Sequence, residues 1–242
     1  MIEKKVTDAI HFRRSVRVYS EEPLDDTIVK QCLVNASIAP TSSNLQLWEF
    51  YHITNTSILE KIAKACMGQN AATTANQLVV IVTRKDTWRK KAKANMDHFD
   101  KVFKQPEMQK EMRRKKMVTN YYGKIIPTLY GDFLGILGAI KYMIFQFVGL
   151  FSPVYRQTRW SDLRVVAHKS AALAAQNFMI SMAAVGYDTC PMEGSDTLRI
   201  KKILNLPRGA EINMVISCGI RKPEGIYGER FRVPFEEVYI KV

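Results

Sequence analysis

The chain has 242 residues, 47% hydrophobic and 24% charged, which excludes a disordered polymer and gives enough core for one large domain. Its formal net charge is +13, but residues 84–124 carry 14 Lys or Arg against five Asp or Glu, so +9 of the excess belongs to one segment rather than to a uniformly basic nucleic-acid binder. The four cysteines, Cys32, Cys66, Cys190 and Cys218, form no C-x-x-C pair and stand beside no histidine cluster, which excludes a sequence-coded zinc or redox site.

The N-terminus MIEKKVTDAI is charged and helical in pattern rather than a secretory leader, so a cytoplasmic location with reduced thiols is expected. Residues 6–15 predict a first helix. Residues 24–40 predict a second, with Asp25 and Asp26 as caps, apolar positions recurring at three and four, and Pro40 as the stop. The aromatic-rich alternation LWEFYHIT (47–54) predicts a strand. A short amphipathic helix follows at 57–67. QLVVIVT (77–83) is a continuous apolar run of the length of a buried central strand. The strongest helix in the chain is the alanine-rich stretch from Ser161, ended by Gly186. Residues 196–207 predict a helix capped by Asp196. INMVISCGI (212–220) predicts a buried strand, and FEEVYIKV (235–242) an amphipathic one. Alternating helices and strands imply an α/β or α+β domain over residues 1–242.

Residues 85–160 interrupt this pattern. A basic helical run leads into an apolar run, 125–151, in which Lys141 is the only charge between Phe133 and Phe151. That length borders on a transmembrane span. Both flanks read as parts of one globular domain, however, so the segment has to enter and return, lie flat, or be buried in protein. It is expected to form a helical insertion that serves as a lid or an interface.

Four short stretches carry candidate chemistry. In RRSVRVY, Arg13, Arg14 and Arg17 with the Ser15 hydroxyl suit a phosphate, although a lone basic triplet also suits a solvated helix end. In APTSSNLQLWEF, Pro40, Thr41, Ser42 and Asn44 offer short polar groups beside a helix end. In CPMEGSD, Pro191, Met192, Glu193 and Gly194 form a turn open to close backbone approach. In ERFRVPFEEV, Arg230 and Arg232 alternate, so extended backbone puts both on one side. His168 reads as a core or interface histidine, and Arg159 and Trp160 as residues bordering the pocket.

Together, in this order and spacing, the four stretches resemble the nitroreductase family of FMN-dependent flavoproteins; the match leaves out only residues 85 to about 160. Leu47 stands where that family often has proline. The resemblance implies an α+β three-layer sandwich: a mainly antiparallel sheet flanked by helices, with a large helical insertion here. It implies a homodimer with FMN at the subunit interface. Arg13, Arg14, Ser15 and Arg17 would hold the phosphate and the pyrimidine edge, with Arg17 nearer the ring. Pro40, Thr41, Ser42 and Asn44 would reach the flavin of the other subunit. Pro191, Met192, Glu193 and Gly194 would lie along the ring, Glu193 and Gly194 forming the catalytic turn with a backbone N–H near N5. Asn70 matches a flavin-side asparagine, and Arg230 and Arg232 return to the phosphate. The implied reaction passes hydride from NAD(P)H through flavin N5 to a nitroaromatic, quinone or similar acceptor in a ping-pong scheme. Two alternatives stay open: a reductive dehalogenase or flavin-degrading relative using the insertion as a lid, with Tyr121, Tyr122 and Lys124 as raw material for a grip, and a basic membrane-surface protein using 125–151. Nucleic acid is the less favoured partner.

Overall fold

QLVVIVT has no polar side to offer solvent, and the fold gives it none. In the computed structural model, which describes residues 3–103, 109–131 and 136–242, strand β2 (Gln77–Thr83) is buried along its whole length. Among the described residues it joins β1 (Trp48–Ile53), β3 (Asp188–Met192) and β4 (Glu211–Gly219) in one antiparallel sheet of order β1-β2-β4-β3. The register pairs Phe50 with Ile81, Val79 with Ile216, and Cys190 with Ser217. Strand β3 occupies residues that the sequence reading assigned to a link and a turn. It is five residues long and contains Pro191, whose missing N–H suits an edge strand.

Side chains alternate across β2 and so divide the core. Val79 and Ile81, with Ile216, meet helices α2 (Asp26–Ser37) and α9 (Trp160–Ala184) through Val29, Ala171, Ala174 and Phe178. The small alanines let α9 lie close to the sheet. Leu78, Val80 and Val82 face the other way, onto α3 (Thr56–Ala65), α4 (Asn70–Thr73) and α10 (Thr197–Ile203) through Ile62, Ala72 and Ile200. Helix α1 (Val6–Phe12) packs its Ala9 on Ala183 and Ala184 at the end of α9. The result is the expected three-layer α+β sandwich. Asp25 and Asp196 cap α2 and α10 as read, accepting backbone N–H groups, whereas Asp26 is the first residue of α2; Asn55, which the sequence reading did not name, caps α3 in the same way.

The insertion is helical. It comprises α5 (Trp88–Val102), α6 (Gln109–Asn120), a π-helical stretch (Tyr121–Ile125), α7 (Ile126–Tyr130) and α8 (Ile136–Val148). Its own core, with Ala92, Tyr122, Ile126 and Tyr130, closes over Leu45, Leu47 and the first turns of α9 at Leu163 and Ala167. Residues 132–135 of the apolar run lie outside the described residues. Among the described residues no helix is long and apolar enough to cross a membrane.

A second element differs from expectation. The tail 235–242 is not a strand: a 3-10 turn (Phe235–Glu237) is followed by irregular, exposed chain. Alternation makes a strand only where another strand offers its edge, and among the described residues none lies beside the tail. The four cysteines are all free and buried. Burial pushes the Cys32 and Cys66 thiols up to about 11, Cys32 with a smaller push from Glu3.

Candidate active site

The first motif reaches its place by leaving α1 as extended chain. Ser15 forms a parallel bridge with Thr189 of β3, and Val16 N–H donates to the Thr189 carbonyl at 3.2 Å. On the other side Arg17 N–H donates to the Gly225 carbonyl at 2.8 Å, and Lys222 N–H to Val18 at 3.1 Å. Residues 15–20 therefore run in a slot between β3 and the loop that follows β4. Gly225 makes the slot narrow enough, since a Cβ there would stand 2.4 Å from the Val18 carbonyl oxygen. The buried Asp188 carboxylate anchors the arrangement. It accepts the Arg221 N–H groups from Nε at 2.9 and 3.0 Å and from the backbone at 2.9 Å, and Arg221 Nη2 donates onward to the Phe12 carbonyl at 3.2 Å.

That slot brings both ends of the chain to one cavity of about 260 Å³. Arg13, Arg14, Ser15 and Arg17 line it from the N-terminal side; Tyr227, Gly228, Glu229, Arg230 and Arg232 line it from the C-terminal side. Arg14 donates to the Gly228 carbonyl, and Arg230 Nη2 donates to the carbonyls of His11, at 3.0 Å, and Arg13. The Arg17 guanidinium lies 5.2 Å from the centre of the Tyr227 ring. Among the described residues none of these five guanidiniums forms an ion pair, although Glu229 is part of the lining. Burial, followed by repulsion from Arg230 and Arg232, lowers the pKa of Arg13. Like charges held together without counter-charge form a site for an anion with several acceptor oxygens.

The third motif borders the same region. Pro191 and Met192 finish β3 opposite Ile216 and Val215, and Glu193 and Gly194 emerge exposed just beyond. The turn is pinned from α3 and its C-terminal loop: Asp196 N–H donates to the Ala65 carbonyl at 2.7 Å, and Gln69 Nε2 to the carbonyls of Gly194 at 2.9 Å and Cys66 at 3.0 Å. Asn70 Nδ2 donates to the Tyr227 hydroxyl at 3.2 Å. Asn70 is thus tied to the residue that also carries Arg17. Gln69 and Tyr227 escaped the sequence reading. Tyr227 lies in the run GIYGER, where an aromatic flanked by glycines was the available signal.

The second motif is elsewhere within one chain. Pro40, Thr41 and Ser42 line a separate cavity of about 290 Å³ with Val166, Lys169, Ser170 and Leu173 of α9. Ser42 N–H donates to Ser170 Oγ at 3.4 Å. Ser43, Asn44 and Gln46 all take left-handed backbone, with φ of 54, 49 and 47°. The insertion holds this bend: Asn44 Nδ2 donates to Asn95 Oδ1 at 2.7 Å, Asn95 Nδ2 returns to the Asn44 carbonyl at 3.0 Å, and the Tyr122 hydroxyl donates to the Ser43 carbonyl at 3.0 Å. The Tyr121 hydroxyl lies 2.6 Å from Ser43 Oγ. Tyr121 and Tyr122 are therefore committed to this loop. Arg159 and Trp160 do not line the arginine cavity: the Arg159 guanidinium lies 3.5 Å from the centre of the Tyr142 ring, and the Trp160 carbonyl accepts Lys85 Nζ at 3.1 Å. His168 joins α9 to the sheet, with Nε2 3.2 Å from Glu211 Oε2 and Nδ1 3.1 Å from Asn213 Nδ2.

Comparison with known proteins matches residues 10–220 to the family model described as the nitroreductase family. DrgA of Synechocystis sp. is 26% identical over 224 residues, covering 92% of this chain and 87% of that protein. MhqN of Bacillus subtilis, named as an NAD(P)H nitroreductase, is 24% identical over 234 residues, 96% of each chain. A protein of Exiguobacterium sibiricum solved in complex with FMN superposes with a TM-score of 0.69 at 20% identity, covering 100% of this chain and 99% of the other. With the family model spanning most of its length, the chain belongs to the nitroreductase family.

Proposed function

We propose that this protein is an NAD(P)H-dependent flavin oxidoreductase that binds FMN through the arginine cavity and reduces a nitroaromatic, quinone or related acceptor. The observation that carries this reading is the convergence of Arg13, Arg14, Arg17, Arg230 and Arg232 without ion-pairing carboxylates, which fits a phosphate dianion. Bound FMN supplies two-electron hydride chemistry that no side chain can provide.

The chain's own residues bind, orient and tune. Arg13, Arg14, Ser15, Arg230 and Arg232 hold the phosphate. Arg17, fixed over Tyr227, offers positive charge to the pyrimidine edge and stabilises negative charge that builds there. The Glu193–Gly194 turn, held by Gln69, would present backbone to the ring, and Asn70, bonded to the Tyr227 hydroxyl, would stand beside it. The donor and the acceptor use the site in turn, a ping-pong order in which hydride transfer needs no protein acid or base.

The second motif supports a homodimer. Pro40, Thr41, Ser42 and Asn44 do not line the arginine cavity of their own chain, which supports a reading in which they reach the flavin of a partner subunit. The exposed apolar tail, with Phe231, Phe235 and Ile240 at 65–82% exposure, gives a second reason for a partner. The purified protein is expected to be yellow and to bleach on anaerobic addition of NADPH or NADH; a colourless protein that takes up no FMN would remove the proposal. Light scattering at a monomer mass would remove the dimer.

A further inference from the structure

Helix α8 is built inside out. Ile136, Ile140, Met143, Ile144, Phe147 and, one turn past its end, Phe151 recur at helical spacing and are 50–78% exposed. The opposite side carries the polar groups, and all of them are engaged. Lys141 Nζ donates to the carbonyls of Thr128 at 2.9 Å, Leu129 at 3.1 Å and Gly131 at 2.6 Å, capping the end of α7. Tyr142 lies against the Arg159 guanidinium, and Gln146 Oε1 accepts Arg156 Nη1 at 2.8 Å. The polar side thus fixes the helix to the protein and the apolar side is turned outward. A contiguous apolar stripe of this kind calls for a cover.

Charge selects the cover. Between Glu111 and Asp162 the sequence has one acid, Asp132, and eight bases, Arg113, Arg114, Lys115, Lys116, Lys124, Lys141, Arg156 and Arg159. A contact between this segment and the same segment of a second copy would set that net +7 against itself. An anionic surface with an apolar interior complements both features. Helix α8 has 13 residues, about 20 Å, too short to span a bilayer and suited to lying in its interface.

We propose that residues 136–151 seat the protein on the surface of an anionic lipid bilayer, with the stripe of α8 in the boundary between headgroups and acyl chains and the net positive charge of the insertion drawing it to the headgroups. This does not depend on the flavin reading.

Flotation of the full-length protein tests it. Vesicles of phosphatidylcholine mixed with an equal part of phosphatidylglycerol should carry the protein upward, pure phosphatidylcholine vesicles much less, and added salt should weaken the binding. The double variant Met143→Glu, Phe147→Glu changes two exposed side chains; it should cut the floated fraction about tenfold while the melting temperature stays the same. A second readout covers poor folding of that variant: Phe151→Trp should gain fluorescence quenching by brominated phosphatidylglycerol vesicles beyond that of the native tryptophans. No flotation on the anionic vesicles, equal flotation on both kinds, or no added quenching at position 151 would overturn the proposal. So would a double variant that floats normally but loses an oligomeric state by light scattering, since the stripe would then be an interface between copies.

Discussion

Strand β2 and helix α8 are both apolar runs, and the fold treats them oppositely. β2 is buried on every side because α9 covers one face of the sheet and α3 with α10 the other. Helix α8 turns Lys141, Tyr142 and Gln146 inward, where carbonyls and arginines receive them, and leaves its apolar side outward. An apolar run therefore states only that water is disfavoured; the polar groups interleaved with it decide which side meets protein. In β2 the run is uninterrupted and both faces pack. In α8 three polar groups, Lys141, Tyr142 and Gln146, hold one side of the helix to the protein.

The largest effect expected from this contrast uses one residue type in two settings. Phe178 of α9 is fully buried beneath the sheet, whereas Phe147 of α8 is 65% exposed. Phe178→Ala should cost about 3–5 kcal/mol in denaturant unfolding. Phe147→Ala should stay within about 0.5 kcal/mol. Equal losses would mean that α8 is packed like the sheet, and the contrast would fail. The next effect separates binding from folding. Arg13→Ala or Arg230→Ala should weaken FMN binding about 10- to 100-fold in a fluorescence titration, the equivalent of one or two charge-assisted hydrogen bonds. The apoprotein should lose no stability with Arg13→Ala, because Arg230 and Arg232 oppose that charge. A variant that keeps FMN and unfolds instead would give the arginines a structural role.

Smaller effects probe the seam between sheet and insertion. Tyr122→Phe removes the donor to the Ser43 carbonyl and should cost about 1 kcal/mol, with faster amide exchange confined to residues 42–46. Exchange spreading into β1 would show that the insertion supports the sheet itself. The smallest effect is a pH limb. Burial raises Glu211, but bonds from His168 and Arg164 outweigh it and hold the carboxyl below its usual range. A depressed carboxylate stabilises the fold above its unfolded pKa, and that contribution is lost as pH falls through the folded value. Glu211→Gln should flatten the acid side of the stability curve; an unchanged curve would show that the β4–α9 contact carries no linked charge.

The parts of the fold that were legible in the sequence are those whose signal is local. Asp25, Asp196 and Gly186 marked helix ends, and QLVVIVT marked the central strand, because capping chemistry and unbroken apolarity act over a few residues. Strand β3 was hidden because its identity rests on pairing with β4 and on an edge position that tolerates Pro191. The tail misled for the converse reason: FEEVYIKV alternates, yet no strand edge receives it. In the site, the arginines were visible as residue types, and Arg230 does return to the N-terminal segment. Tyr227, Gln69 and Asn95 were not visible, since each acts through a partner distant in the chain: Arg17 and Asn70, Gly194, and Asn44 respectively. Helix α8 was apparent as an apolar run, but its orientation depends on where Lys141 finds carbonyls, which only the folded chain provides.

The burial of all four cysteines has a chemical consequence. A thiol held at about 11, as at Cys32 and Cys66, is thiolate in roughly one molecule in ten thousand at neutral pH. Thiolates add as nucleophiles to quinones and to the nitroso products of nitro-group reduction. With the acceptors of the proposed function, the burial of every cysteine would protect the protein from self-inactivation over many turnovers.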